Sequence, residues 1–397
     1  MRTDVIIIGA GLAGAVAAST LARAGLSVAL IDARAETAPE FRAEKMGEAQ
    51  IAQLARLGLA DAVMASVTEH RTVKVARFGR IVGDGHEIEY GYRYADLVNA
   101  LRRAMPADVT RLVGRVDVVS TSDDRQRVTL TDGTVVDARL LVLATGLGDA
   151  IRRKVGIDRC MLSRSHSLAL GFDLRRRPQG YDFDTLVCYP RQRHDRIAYV
   201  GLFRIGETMR GNLFVYRTIA DDWTKRFRAA PRATLLSAIP ELEPLCGGLD
   251  LEGEPDVRSI DLTMATNYRR DGVVLIGDAF RTCCPIIGMG VPKVLTDAER
   301  LGTVHAPEWF RTPGMSAAKI GTFYDDPIKR QTDARGHAIS LYSRRLSTDP
   351  GWVWSARRGR NLAVRQGLSL LKQAGHVLQR RPLPQPVGAH PVAGADP

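Results

Sequence analysis

Cysteine is scarce and scattered. Cys160, Cys188, Cys246, Cys283 and Cys284 form neither a paired framework nor a metal-site spacing. A disulfide scaffold is thereby excluded, and a reducing compartment, the cytoplasm, is expected. Aromatic residues make up only 6% of the chain and are not interleaved with basic ones, so nucleic-acid binding has no support. No apolar run approaches the ~20 residues of a membrane-spanning helix. No secretory leader is expected, because a strand and a glycine-rich turn begin at Asp4. The eight histidines show no HxxxH, HExxH or Ser/His/Asp arrangement; neither a metal centre nor a hydrolytic triad is expected. No internal repeat is present.

What remains is a chain of 397 residues, 45% hydrophobic and 25% charged, enough for two or three domains with a sizeable core. Lys plus Arg outnumber Asp plus Glu by 56 to 44. A basic solvated surface fits this balance, and so does attraction to acidic ligands or anionic lipid.

The chain opens on Asp4-Val5-Ile6-Ile7-Ile8, a continuous apolar run that reads as a strand buried on both faces. Gly9-Ala10-Gly11-Leu12-Ala13-Gly14 follows, then an Ala-rich helical stretch to Ala24 and a second strand, Leu26 to Ile31, closed by Asp32. This is strand, GxGxxG, helix, strand, acid in dinucleotide-binding order. Gly9 permits the turn, Gly11 lets backbone approach a pyrophosphate, and Gly14 lets helix pack on strand. The helix N-terminus offers unpaired N–H groups to phosphate, and Asp32 is placed to accept from a ribose. The unit alone leaves FAD and NAD both open.

Further on, Ala52 to Met64 and Tyr94 to Met105 read as helices, the second with Leu97, Leu101 and Met105 on one face. A strand-like stretch, Leu112 to Val119, precedes a hairpin turning at Asp132-Gly133. Buried strands follow at Leu140 to Ala144 and Val273 to Ile276, with a helix from Val291 to Gly302. Residues 160–262 read as successive strands and short helices, a substrate-covering sheet domain. The expected fold is α/β: a Rossmann-type domain from 1–159 and 263–305, an inserted mixed β-sheet substrate domain at 160–262, a mainly helical C-terminal region at 306–381, and a disordered Pro-rich tail at 382–397. No acid lies between Trp352 and Arg381, while Val364, Leu368, Leu371 and Leu378 share a helical face. A helix docked on the body with a basic outer face is the preferred reading; the other is peripheral contact with an anionic membrane.

Three anchors now stand in order: GxGxxG, a strand ending at Thr145-Gly146, and Leu275-Ile276-Gly277-Asp278-Ala279 continuing to Pro285-Ile286-Ile287-Gly288-Met289-Gly290. Together, over residues 4 to 302, they resemble the FAD-dependent aromatic hydroxylases, the para-hydroxybenzoate hydroxylase-like flavoprotein monooxygenases. The resemblance implies FAD as cofactor, NADPH or NADH as transient electron donor, and O2 with a small organic substrate as reactants. It implies oxygen transfer through a flavin C4a-hydroperoxide, hydroxylating an aromatic ring or epoxidising an alkene. It places Gly9, Gly11, Gly14, Asp32, Arg42 (or Lys45 in its stead), Arg93, Gly277, Asp278, Gly288, Met289 and Gly290 at the cofactor. Pro285, Gly288 and Gly290 fall on the loop beside the reacting ring, where a helix start stabilises the anionic reduced flavin. Asp297 is implied to position its helix.

The chain departs from the family at Thr145, where an aspartate is usual, at Asp149, where a serine is usual, and at Arg281, where histidine is frequent. Arg152 keeps the family frame. Thr145 weakens the expectation of NADPH use. No second GxGxxG provides a separate nicotinamide domain.

Other residues stay open to two readings. Cys283-Cys284 sits in the loop expected at the flavin, either as a redox or substrate-facing thiol or, preferentially, as two small hydrophobes. His166 and His194 could move a substrate proton, and Tyr189, Tyr199, Tyr216 and Arg204 are equal candidates for a pocket. Trp352 and Trp354 have the Trp-x-Trp spacing of flavin-dependent halogenases but follow the Gly-Asp motif rather than precede it, which ranks that reading low. The main alternative is an FAD-dependent reductase of polyprenyl or isoprenoid double bonds; a binding protein with structural FAD ranks below it.

Overall fold

The computed structural model describes residues 1–364 except 78, 86, 191–195 and 362. Val5–Ile8 has no exposed residue, and it lies at the centre of a five-stranded sheet. The order is Val273–Leu275, Leu140–Leu143, Val5–Ile8, Val28–Asp32, Val109–Val113. Every pair is parallel, as continuous apolar runs buried on both faces require. Helix Leu12–Arg23 packs against helices Tyr94–Arg103 and Gly290–Arg300. The three anchors are therefore neighbours at the carboxyl end of one sheet, where open α/β sheets place their ligands.

The run read as Leu112 to Val119 divides. Val109–Val113 joins the parallel sheet, and Val116–Ser120 joins a three-stranded antiparallel sheet with Gln126–Leu130 and Val135–Ala138. The break falls at Gly114, whose N–H donates to the Asp32 carbonyl at 2.8 Å. The Asp132-Gly133 turn forms as expected, with the Gly133 N–H on the Leu130 carbonyl at 3.0 Å.

The second large sheet has seven strands, ordered Leu251–Thr266, Asp158–Leu174, Thr208–Val215, Ile197–Ile205, Thr185–Cys188, Val73–Arg77, Arg80–Gly85. Thr185–Cys188 pairs in parallel with Val73–Arg77, so the sheet is mixed. Its last two strands come from the segment assigned to the first domain, and residue 160 falls inside a continuous strand. The boundary expected at residue 160 therefore does not fall at an edge of this sheet, and the strands at 73–85 had no sequence reading of their own. Side chains alternate across this sheet. Val200, Leu202, Leu213 and Val215 pack with Trp223 and Phe227 from helix Asp222–Ala229. Tyr199, Phe214 and Tyr216 face the opposite way and pack with Cys284 and Ile286.

Three helices follow, Ala306–Phe310, Ala317–Asp325 and Pro327–Thr348. Among the described residues no helix is long and apolar enough to cross a membrane. Residues from 349 onward form a separate unit, helical at 352–361, with Trp352 82% exposed. The Arg357 guanidinium lies 4.8 Å from the Trp354 ring. Most of the basic helix expected to reach Arg381, and the whole tail, lie outside the described residues, as does His194.

Candidate functional site

The glycine loop is built by exclusion. Gly9 has φ +101°, and a Cβ there would meet the Ala144 carbonyl oxygen at 2.5 Å. A Cβ on Gly14 would overlap the Gly9 carbonyl oxygen. Only glycine lets helix Leu12–Arg23 seat this closely on the first strand. The helix starts after Gly11, which supplies no side-chain cap, so N–H groups of its first turn beyond Leu12 stay available to an anion. Asp32 is fixed beside the loop, accepting the Ala10 N–H at 2.7 Å and the Arg34 N–H at 3.0 Å.

Arg102 completes this cradle and was not singled out from the sequence. Its buried guanidinium donates to the carbonyls of Ala10 at 2.7 Å and Ala35 at 3.0 Å and lies 3.6 Å from Asp32 Oδ2. It ties the glycine loop to the loop after Asp32. The signal was present: Arg102 follows Val98 by four residues, a charge on the apolar face of its helix.

At the helix start the chain places Tyr94. Its phenol oxygen accepts the Leu12 N–H at 3.2 Å and keeps its own O–H to donate. Arg42 lies 5.3 Å over the Tyr94 ring and pairs with Glu40 at 2.7 Å. Burial disfavours the Arg42 charge, but Tyr94, Glu40 and Asp278 outweigh that and raise its pKa. Arg42 and Tyr94 thus meet at the glycine loop, and the charge of Asp278 acts on both. Lys45, the alternative basic residue, pairs instead with Glu89 at 2.7 Å. Arg93 is also directed elsewhere, pairing with Asp173 at 2.9 Å and Glu44 at 3.5 Å. It is the extended residue before helix Tyr94–Arg103, and the chain turns between it and Tyr94. Arg93 and Arg210 line a cavity of 310 Å³ with Phe41, Glu44, Tyr94 and Asp256.

The other two anchors are linked by Arg159, which donates to the carbonyls of Gly146 and Asp278 at 3.2 Å each. Asp149, in the serine's place, pairs with the buried Arg152. Asp278 sits in a 3-10 turn, Gly277–Ala279. The loop from Pro285 to Met289, with Gly288 at φ +66°, leads straight into helix Gly290–Arg300.

The inward face of the large sheet closes on this loop. The Tyr199 hydroxyl donates to the Ile286 carbonyl at 3.1 Å. Its ring lies 5.0 Å from Phe214 and 5.7 Å from Tyr189. Three of the four pocket candidates are grouped here; Arg204 turns instead to the Gly206 carbonyl at 3.1 Å. Cys284 is buried with its sulfur 3.4 Å from Ser167 Oγ, and burial pushes its pKa up to about 11. Burial likewise raises Cys283, so both thiols stay protonated at neutral pH and behave as small hydrophobes.

His166 is buried, edge-on to Tyr216 at 6.0 Å, with Nδ1 3.1 Å from Ser163 Oγ. Burial, and then Arg344, pushes its pKa from 6.5 down to about 4. The unfolded chain therefore binds a proton that the folded chain refuses. This stability is complete above pH 6.5 and is lost as pH falls toward 4, by ~3 kcal/mol. His166→Gln should flatten the pH dependence of Tm across that window; an unchanged slope would contradict the assignment.

The model of the FAD binding domain family matches residues 2–306. A digeranylgeranylglycerophospholipid reductase of Methanosarcina acetivorans is 25% identical over 360 residues, covering 85% of this chain and 82% of the relative. A 6-hydroxynicotinate 3-monooxygenase of Bordetella bronchiseptica is 23% identical over 386 residues, covering 89% and 95%. The crystal structure of p-nitrophenol 4-monooxygenase PnpA from Pseudomonas putida superposes with a TM-score of 0.69 at 15% identity, covering 94% of this chain and 98% of that one; at that identity the likeness is one of fold. The family match spans all three anchors and both strands of the glycine-loop unit, and the chain belongs to the FAD binding domain family.

Proposed function

We propose that this protein is an FAD-dependent monooxygenase that takes electrons from NADPH or NADH and transfers one oxygen atom of O2 to a small aromatic or alkene substrate. The observation that carries the reading is the closure of an aromatic sheet face on the Pro285–Met289 loop, through Tyr199 and Ile286. A site that only stored the cofactor would have no use for a second, apolar wall at that loop. Bound FAD would supply the electron transfer and the activation of oxygen.

The chain's own residues would do the rest. The N–H groups at the start of helix Leu12–Arg23, the Tyr94 hydroxyl and Arg42 hold the pyrophosphate. Asp32 accepts from the ribose and Asp278 from the ribitol. Helix Gly290–Arg300 would bring its positive end to the ring's side of the site. Tyr189, Tyr199, Phe214 and Tyr216 orient an apolar substrate and exclude water. Burial raises the pKa of Tyr199 and Tyr216, so both stay neutral. His166 is uncharged at neutral pH and adds no charge beside Tyr216.

The second reading, reduction of isoprenoid double bonds, is supported by the reductase relative that aligns over 85% of this chain. One test separates the two: whether the FAD-loaded protein, given NAD(P)H, puts oxygen from O2 into its product.

A further inference from the structure

Behind the loop read as the flavin site lies a closed ring of four charges. Lys293 Nζ is 2.9 Å from Asp297 and 3.4 Å from Asp333. Lys329 Nζ is 2.7 Å from Asp297 and 3.0 Å from Asp333. Each ammonium touches both carboxylates, and none of the four side chains is more than 8% exposed. Lys293 and Asp297 come from helix Gly290–Arg300, Lys329 and Asp333 from helix Pro327–Thr348. The second pair lies beyond residue 306, outside the segment matched to the family.

The ring is attached to the cofactor loop by backbone. Asp297 accepts the Gly277 N–H at 2.8 Å, and Lys293 donates to the Gly277 carbonyl at 3.1 Å. Lys329 also lies 4.3 Å from the Phe280 ring. Bracing alone does not require this arrangement, because buried ion clusters are often no more stabilising than well-packed apolar side chains. Charge at this place has another consequence. Lys293 and Asp297 stand on the helix read as directed at the cofactor, and burial keeps solvent from screening the ring. Two-electron reduction of a flavin with uptake of one proton leaves the ring system one charge more negative. The four charges sum to zero, so each one removed leaves a buried net charge to which the reduced and oxidised cofactor respond differently. Burial disfavours the Lys293 charge, but Asp297 and Asp333 outweigh it and raise its pKa, and the two lysines in turn hold Asp297 below the usual carboxylate range despite its burial.

We propose that the Lys293–Asp297–Lys329–Asp333 ring is a positioning device that both fixes the Gly277–Asp278 turn and sets the reduction potential of the bound flavin through its balanced charge. This rests on the reading that FAD seats at that turn. The test uses the purified FAD-loaded protein, with the midpoint potential measured by equilibration against a redox dye. Lys293→Met and Lys329→Met should lower the potential, and Asp333→Asn should raise it. Each should change the affinity ratio for reduced over oxidised FAD at least tenfold, about 30 mV for a two-electron couple. The neutral pair Lys293→Met with Asp333→Asn should return close to the starting potential while still lowering the Tm of the FAD-free protein. Potentials that stay put, or that move the same way for both signs, overturn the proposal and leave a brace. If one variant does not fold, the remaining variants of both signs decide. Failure of the unaltered protein to bind FAD overturns the reading of the site along with the proposal.

Discussion

Arg102→Met is expected to remove most of the chain's FAD affinity and about 3–5 kcal/mol of its stability. Methionine fills the space but donates nothing. The Ala10 carbonyl would lose its buried donor, the Ala35 carbonyl would keep only Arg111, and Asp32 would lose its nearest cation. Each unpaired buried acceptor costs about 1–3 kcal/mol. The glycine loop and the loop after Asp32 would then be free to separate, which acts on pyrophosphate and ribose together. Arg102→Lys should recover only part of the loss, since one ammonium cannot fork between carbonyls and carboxylate. Fluorescence titration with FAD and urea unfolding of the FAD-free protein measure the two effects. An FAD affinity within threefold of the unaltered protein would show that the cradle does not depend on this clamp.

Gly14→Val should abolish FAD retention altogether, with at least a hundredfold loss of affinity. Its Cβ would overlap the Gly9 carbonyl oxygen, a backbone atom that cannot turn aside. The helix must move off the strand, carrying its N-terminus away from the phosphates. Gly14→Ala already brings that clash and should cost about 3 kcal/mol or more. Gly11→Ala is the informative comparison. There a Cβ meets only the Tyr94 phenol oxygen, at 3.3 Å, a side-chain atom that can give way. The order Gly14 far above Gly11 is read by FAD content after purification and by Tm. Equal tolerance at both positions would mean that helix and strand are not packed as described.

The two clamps differ in how visible they were. Gly14 was legible because its constraint is local: strand, turn and helix follow one another within a few residues. The same holds for Asp278, the Pro285–Gly290 loop and the Asp132-Gly133 hairpin. Arg102 is local in sequence only to its own helix; its partners Ala10, Asp32 and Ala35 are brought to it by tertiary packing. Tyr94 shows the limit of motif register. Arg93 pairs with Asp173 and Glu44, and it is the next residue, Tyr94, whose phenol meets the Leu12 N–H at the glycine loop. Strands Val73–Arg77 and Arg80–Gly85 were not read as strands in the sequence, and no local pattern says which sheet will accept an edge. The four-charge ring joins residues of two helices separated by two others in the chain, and only the fold makes them neighbours.

The most direct measurement of the central claim is isotopic. The FAD-loaded protein is incubated with NADPH or NADH and 18O2 against a panel of phenols, hydroxypyridines and polyprenyl alkenes, and the products are weighed by mass spectrometry. The account predicts a product carrying one 18O atom, formed only when both O2 and nicotinamide are present. A product heavier by two hydrogens, formed equally well without oxygen and carrying no 18O, would contradict it and identify the protein as a reductase.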